Sequence, residues 1–396
     1  TRSYEFAKRL IQRGHDVTIV CGTYKGGDTG IMAPFVAGRR EGEIDGVKVI
    51  QFHYPYSNND GLLRRTNTFF KYALRSILVL WQEPYDLVFA TSTPLTAGIP
   101  GIFARWFRGK PFVFEVRDLW PELPRAMGVI KNPVLLWLME VLEWLSYHSA
   151  NHIIGLSPGI EKGIESRGVK KNKIVMIPNG CDLELFNPSG GGSSPLAEFV
   201  QSDYFAVFAG AHGLANGLDQ LLDVASELKK LERSDISLLF VGEGSLKSEL
   251  IREAKIRGLD NCAFLDPVSK IELANIFRVA DIGLMVLANV PAFYYGTSPN
   301  KFFDYISSGL PVINNYPGWL AELIEESSCG AALAPGNAKQ FAGKIIEICD
   351  DDVVRAAMAT SARGLAESSF SRRQLSDNFV DVLERVNTRR YQRSGK

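Results

Sequence analysis

The sequence predicts an α/β protein made of two doubly wound parallel-sheet domains, and three observations carry that expectation. Short runs of β-branched and aromatic residues alternate with helical segments along the chain. The strand runs are nearly continuously apolar, as in parallel sheets covered on both faces. A Gly/Ser/Pro tract, "NPSGGGSSPLAEF" at 187–199, then interrupts the alternation, which restarts after it. A chain of 396 residues suits two or three domains. The expected division is 1–188 with the tail 371–396, and 196–370.

Taken in order, "RSYEFAKRLIQRG" is an amphipathic helix stopped by Gly14, and "HDVTIVCG" is a buried strand. "DLVFATS" and "KPFVFEV" are two more strands, the first followed by turn material and an apolar helix. "NPVLLWLMEVLEWLSYHSA" is a long helix. "NHIIGLS" is a strand leading into the helix "PGIEKGIESRG", and "KIVMIPNG" closes the first set. The second set begins with "YFAVFAG", a glycine-punctuated loop and the helix "LDQLLDVASELKKL". "ISLLFVGEG", "SLKSELIREAKIRG", "CAFLD", "KIELANIFRVA" and "DIGLMVL" continue the strand and helix alternation. The stretch "GTSPNKFFDYISSGLPV" at 296–312 then reads as loop, short helix and buried strand. Ser298 is expected to cap that helix, Pro299 to open it and Gly309 to end it. Open α/β sheets bind ligands at the carboxyl ends of their strands. Two such units are therefore expected to face one another around one cleft.

Composition narrows the class. Five scattered cysteines with no paired spacing read as free thiols of a reducing compartment. No signal peptide is legible, and Leu87–Ala104, uncharged but broken by Pro94, Gly98, Pro100 and Gly101, is no spanning helix. Net charge is zero, with 23 Lys+Arg against 18 Asp+Glu in 1–190, 14 against 23 in 191–370, and 7 against 3 in the tail. This asymmetry groups the tail with the first half and points that half toward an anionic partner; no nucleic-acid motif is legible. "LLRRTNTFFKYALRSILVLW" and "FARWFRGKPF" mix Arg64, Arg65, Lys71, Arg75, Arg105, Arg108 and Lys110 with apolar residues. They read as a basic amphipathic surface for an anionic membrane, or equally as core-packing helix.

The chemistry concentrates in a few stretches. Lys301 stands in the first turn of a helix, where the dipole disfavours a cation unless an anion lies nearby. Ser298, Lys301 and Asp304 recur at spacing three, while Phe302, Phe303 and Ile306 can pack inward. A diphosphate at Lys301 and a ribose on Asp304 fit that pattern; so does a solvent-facing ion pair. In "FAGAHGLANGLDQLL", Gly210, Gly213 and Gly217 follow a strand, so backbone N–H groups can approach a phosphate, and His212 can donate to a phosphoryl oxygen. Gly242 and Gly244 in "VGEGSLKSEL" read as a turn. Asp350–Asp352 contains a DxD pattern, read as a solvated helix end, and no metal site is expected.

Together "SPNKFFDYISSGLPVI", "FAGAHGLANGLDQLL", "VGEGSLKSEL", "ADIGLMVL" and "IPNGCDLELFNP" resemble, in order and spacing, family 4 glycosyltransferases of the GT-B fold. "FEVRDLWPELPRAMG" and "GTSPNKFFDY" are similar to the branch of N-acetyl-fucosamine transferases of O-antigen and capsule pathways. The resemblance implies an N-terminal acceptor-binding domain, a C-terminal nucleotide-sugar donor domain and a tail helix crossing back to the first. It implies donor contacts from Gly210, Gly213, Asn216, Gly217, Ser298, Pro299, Asn300, Lys301 and Asp304. Asp118, with Arg117, matches the acceptor-orienting or proton-accepting position, and His212 joins them as a catalytic candidate. Ser92 and Thr93 in "ATSTP", and Glu122 in "RDLWPE", are expected to meet the acceptor, although "ATSTP" serves equally as a turn.

The sequence departs from the family where its paired acids begin, at Gly296, and where its basic pair falls, at Ala211 and Asn216. The family's first strand and glycine-rich turn also normally precede the helix that opens at Thr1. The resemblance implies a retaining transfer from a UDP-sugar to a lipid-diphosphate-linked saccharide, and with no credible ligand cluster in the sequence neither a metal nor a cofactor is expected. The enzyme is expected to be cytoplasmic, peripheral on the inner face of the cytoplasmic membrane. A GT-B UDP-sugar 2-epimerase and a non-catalytic nucleotide-sugar-binding partner stand as alternatives.

Overall fold

The computed structural model describes residues 2–23, 28–56, 60–190 and 202–394, except the side chains of 62–63 and 389–394. The chain divides into two compact units, 1–178 with 373–396 and 179–372. Residues 191–199 of the expected linker lie outside the described residues. The first boundary falls at 178 rather than 188, for a physical reason. The Asn179 amide donates to the Ser298 carbonyl (2.5 Å), and the Cys181 N–H donates to Phe370 (2.7 Å). Phe186 stacks on Phe277, so this segment is stitched into the second unit.

In the first unit, α1 (Arg2–Gln12) is followed by β1 (Thr18–Cys21), β2 (Arg39–Ile44) and β3 (Val47–Phe52). These strands form a sheet of order β1-β3-β2, β1 parallel and β2 antiparallel to β3. The hairpin is fixed by Asp45 and Gly46, whose φ values of 51° and 78° are those a two-residue type I′ turn demands. One doubly wound sheet was expected here; the described residues form two sheets, and the Asp-Gly reversal makes one of them mixed. Beyond α2 (Leu62–Gln82) lie β4 (Val88–Thr91), α3 (Gly98–Phe107), β5 (Phe112–Val116), α4 (Glu122–Ala126), α5 (Pro133–Ser149), β6 (His152–Gly155), α6 (Pro158–Ser166) and β7 (Ile174–Met176). The strands build a second sheet, β4-β5-β6-β7, parallel throughout.

Alternate residues of β5 serve opposite faces, as the pleat requires. Phe112 and Phe114 pack with Tyr147 of α5, whereas Val113 packs with Phe6 of α1 and with Phe379, Val380 and Leu383 of the C-terminal helix. Phe379 stacks on Phe6 at 4.0 Å, and Arg9 pairs with Asp377 at 2.6 Å.

The second unit runs β8 (Tyr204–Ala209), α7 (Asp219–Lys230), β9 (Ile236–Val241), α8 (Lys247–Ile256), β10 (Cys262–Leu265), α9 (Lys270–Val279) and β11 (Ile282–Met285). It continues through α10 (Pro291–Tyr294), α11 (Asn300–Ser307), β12 (Val312–Asn314), α12 (Trp319–Glu326), β13 (Gly330–Ala332), α13 (Ala338–Asp350) and α14 (Asp352–Ser369); α15 (Arg372–Ser394) carries the chain back to the first unit. Six parallel strands take the order β10-β9-β8-β11-β12-β13. That order reverses at β8, so the loops after β8 and β11 part at a topological switch point, where such sheets leave a crevice.

Candidate functional site

The crevice holds a pocket of about 500 Å³, walled by the loops after β8, β9 and β10, by α9 and by the start of α11. Its position follows from how α11 is anchored. Tyr305, wholly buried, accepts the Ala209 N–H (2.9 Å) and donates to the Val207 carbonyl (3.1 Å), pinning the helix to β8. Phe302, Phe303 and Ile306 are buried as the spacing predicted. Gly309, φ 67°, ends the helix as expected.

The helix start differs from the expectation. Pro299, not Ser298, occupies the cap position, and no side chain caps the helix. Ser298 instead turns to Asn179, accepting its backbone N–H at Oγ (3.4 Å). The uncapped first turn thus presents its backbone N–H groups and partial positive charge where Pro299, Asn300 and Lys301 line the pocket.

Lys301 lies over the Phe208 ring, 4.0 Å from its centroid, and donates to Asn216 Oδ1 (2.8 Å). Burial without a carboxylate partner pushes its ammonium down to about 7. One turn on, Asp304 is 7% exposed, and burial pushes its carboxyl up to about 6 against the pull of Lys270, 3.8 Å away. Lys270 opens α9 behind a capping box made by Ser269 and Glu272. A lysine and a carboxyl, both displaced toward neutrality, share a pocket with a helix N-terminus. The combination accepts an anion at one end and hydroxyl groups at the other.

The glycine loops complete the wall. Gly242 and Gly210 adopt φ of 144° and 154°. A Cβ on Gly242 would stand 2.0 Å from the Gly210 carbonyl oxygen, so only glycine lets the two loops touch. Gly242 lines the pocket, where the sequence read a turn rather than a contact; that it meets Gly210 was not visible from local sequence. Gly210, Ala211 and Glu243 line the pocket with it. Gly213 and Gly217 lie outside the lining. Gly217, φ 54°, packs against Ala288, and Asn216 acts by holding Lys301 and the Ala211 carbonyl. His212 is corrected too. Rather than standing free in its loop, it is fully buried among Phe208, Phe240 and Phe264, with no partner for either ring nitrogen among the described residues. Burial pushes its imidazole down to about 4, so it is neutral at physiological pH.

In the first unit, the ends of β4 and β5 gather the other candidates. Ser92, 2% exposed, accepts the Arg117 N–H (2.9 Å), so its hydroxyl ties two strand ends together rather than facing an acceptor. Thr93 donates to Asp118 Oδ2 (3.1 Å), and desolvation raises the Asp118 carboxyl. Glu122 is exposed at the start of α4. Sequence reading missed the support beneath them. Glu115, 1% exposed, accepts from Thr91 (2.6 Å) and pairs with Arg2 (2.8 Å), which also donates to the Ile177 carbonyl (2.6 Å). Among the described residues no three His, Cys, Asp or Glu side chains are grouped to hold a metal ion. Asp350 pairs with Arg233, Asp351 caps α14 and Asp352 pairs with Arg355.

Residues 1–180 match the Glycosyl transferase 4-like domain and residues 197–365 match Glycosyl transferases group 1, one domain for each unit. The chain belongs to the family 4 glycosyltransferases of the GT-B fold. This GT-B chain is 22% identical over 255 residues to the O-antigen chain mannosyltransferase C of Escherichia coli, covering 64% of its own length and 66%, just under two thirds, of that relative. It is 22% identical over 310 residues to the capsular polysaccharide biosynthesis glycosyltransferase CapM of Staphylococcus aureus, covering 76% and 77%. Among solved structures it resembles Anabaena HepE in complex with UDP, with a TM-score of 0.63 at 19% identity over 85% of this chain and 86% of that one. Within the family the chain's departures stand in the structure as follows. A Cβ at Gly296 would make an ordinary contact with the Ala292 carbonyl oxygen at 3.5 Å, so a side chain fits there, and Asn216 in the basic position orients Lys301 instead.

Proposed function

We propose that this protein is a retaining glycosyltransferase of bacterial surface polysaccharide synthesis, moving a sugar from a UDP-sugar to a hydroxyl of a lipid-diphosphate-linked saccharide. The observation that carries the reading is the juxtaposition of an uncapped helix N-terminus, a half-buried lysine without a carboxylate partner and a buried carboxyl in one pocket at the switch point. The donor diphosphate lies at Lys301 and the first turn of α11, and its ribose hydroxyls donate to Asp304. The names of the E. coli and S. aureus relatives support a polysaccharide acceptor, and the UDP bound by HepE supports a uridine donor. An N-acetylated deoxysugar is the donor sugar implied by the resemblance of the "RDLWPE" and "GTSPNK" stretches to N-acetyl-fucosamine transferases.

As the bond between the anomeric carbon and the phosphate oxygen breaks, negative charge grows on the leaving diphosphate. Lys301 and the N–H groups of α11 and the glycine loop stabilise it without a metal. The acceptor oxygen attacks the same face of the sugar, its proton passing to the departing phosphate oxygen, so configuration is retained. Asp118, its carboxyl raised by burial and held by Thr93, orients the acceptor hydroxyl. The test is incubation with a panel of UDP- and GDP-sugars, with and without a lipid-diphosphate saccharide, followed by proton NMR of the product's anomeric centre. UDP release that requires acceptor and an unchanged anomeric configuration are expected. An isomerised sugar without acceptor means a 2-epimerase instead, and nucleotide binding without turnover means a non-catalytic partner.

A further inference from the structure

The first unit presents an apolar surface that its core does not use. On α5, Val134, Trp137, Leu138, Val141, Trp144 and Leu145 recur at helical spacing and are all exposed, Trp137 by 60%. The opposite stripe of α5, Leu136, Glu143 and Tyr147, is buried. On α2, Phe70, Leu74, Leu78 and Trp81 form a second exposed stripe, and Trp106 and Phe107 end α3, which packs against both helices. The aromatics connect these elements. Trp81 meets Phe103 at 6.1 Å, Phe103 stacks on Phe107 at 5.3 Å, and the Trp106 indole donates to Ser149 of α5 (2.9 Å). Four of the chain's six tryptophans thus stand more than half exposed in one unit.

Charge names the occupant. Residues 62–82 and 98–110 carry Arg64, Arg65, Lys71, Arg75, Arg105, Arg108 and Lys110 and no acidic residue. Arg108 lies over Trp81, 5.0 Å from its ring, so cation and aromatic are adjacent. The two acids of α5 are engaged, Glu140 by Arg125 and Glu143 by Arg167. A second copy docking through the same face would set these cations against their equals. A bilayer with anionic headgroups matches both features, since tryptophan favours the interface and cations are drawn to the surface. Among the described residues no helix is long and apolar enough to cross a membrane, so such a face would lie on one.

We propose that α2, the end of α3 and the outer stripe of α5 form a docking face for an anionic membrane, the tryptophans of α5 entering the headgroup region. The inference deepens the lipid-linked acceptor reading and rests on it for its purpose, but its test needs no nucleotide. Full-length protein is floated with phosphatidylcholine vesicles with and without phosphatidylglycerol. Wild type should float only with phosphatidylglycerol and lose at least about tenfold in bound fraction when salt is raised severalfold, because screening removes the attraction to the headgroups. Trp137→Ser with Trp144→Ser, and separately Arg64→Glu with Lys71→Glu, should each lower vesicle binding about tenfold or more while UDP affinity in solution stays unchanged. No flotation at low salt, or flotation that both double variants retain, overturns the proposal. A dimer dissolved by the tryptophan variant in the absence of vesicle binding would give the face to a second copy and overturn it equally. Loss of UDP affinity in wild type would count against the donor reading and leave the vesicle result standing on its own.

Discussion

Lys301 answers to two opposing demands. In the free protein its ammonium is desolvated without a counter-charge, which draws it to about 7; a bound diphosphate would restore the charged form. Between pH 7 and the unfolded lysine value near 10.5 the unfolded chain holds a proton that the folded chain has released, so this residue makes stability rise with pH across that window. The Tm advantage of Lys301→Met over wild type should therefore be largest near pH 7 and shrink toward pH 10, as scanning calorimetry can follow. UDP binding should take up about one proton at pH 8, where Asp304 is already ionised, read from the dependence of titration heat on buffer ionisation, and the uptake should vanish in Lys301→Met. Lys301→Ala should weaken UDP at least about tenfold, the loss of one charge-assisted contact of roughly 1.5–3 kcal/mol. Asp304→Asn should weaken UDP while keeping or raising Tm at pH 7.5, since it removes a carboxylate that burial disfavours.

At the scale of elements, two glycines and an acidic run separate the account from plainer readings. Gly242→Ala should lower both stability and UDP affinity, because its Cβ would enter the Gly210 carbonyl. Gly213→Ala, with nothing within 4 Å of the added carbon and an extended backbone, should leave both near wild type. Turnover should survive EDTA, and Asp350→Ala and Asp352→Ala should turn over like wild type. Asp351→Ala should cost about 1 kcal/mol of stability as a lost helix cap, without lowering turnover per folded molecule. Turnover abolished by EDTA and restored by Mg²⁺ or Mn²⁺ would reverse this reading of the run. The elements themselves were mostly legible where a strand is continuously apolar, as at "KPFVFEV", or runs straight into a capped helix, as at "NHIIGLSPGIEK". The hairpin of β2 and β3 was missed although Asp45-Gly46 is a strong turn signal, because an alternation of parallel strands left no place for an antiparallel pair. The start of α11 slipped by a residue because Ser298 had a better partner in Asn179, far away in sequence.

For the molecule as a whole, the order of strands and helices carried the two units and the parallel sheet of the second, but not the division of the first into two sheets, and the spacing of Lys301 and Asp304 marked two residues that line the pocket. What local sequence could not give was tertiary. The burial of His212 depends on three phenylalanines from three strands or their ends, and Gly242 matters only because Gly210 comes to it. Likewise the loss of Ser92 to a backbone N–H depends on β5 lying beside β4. The central claim is that the second unit binds a nucleotide diphosphate against α11. A crystal structure with UDP tests it most directly. The account predicts phosphate oxygens on Lys301 Nζ and the N–H groups opening α11, with the ribose hydroxyls on the Asp304 carboxylate. A nucleotide bound elsewhere, with neither Lys301 nor Asp304 in contact, would contradict it.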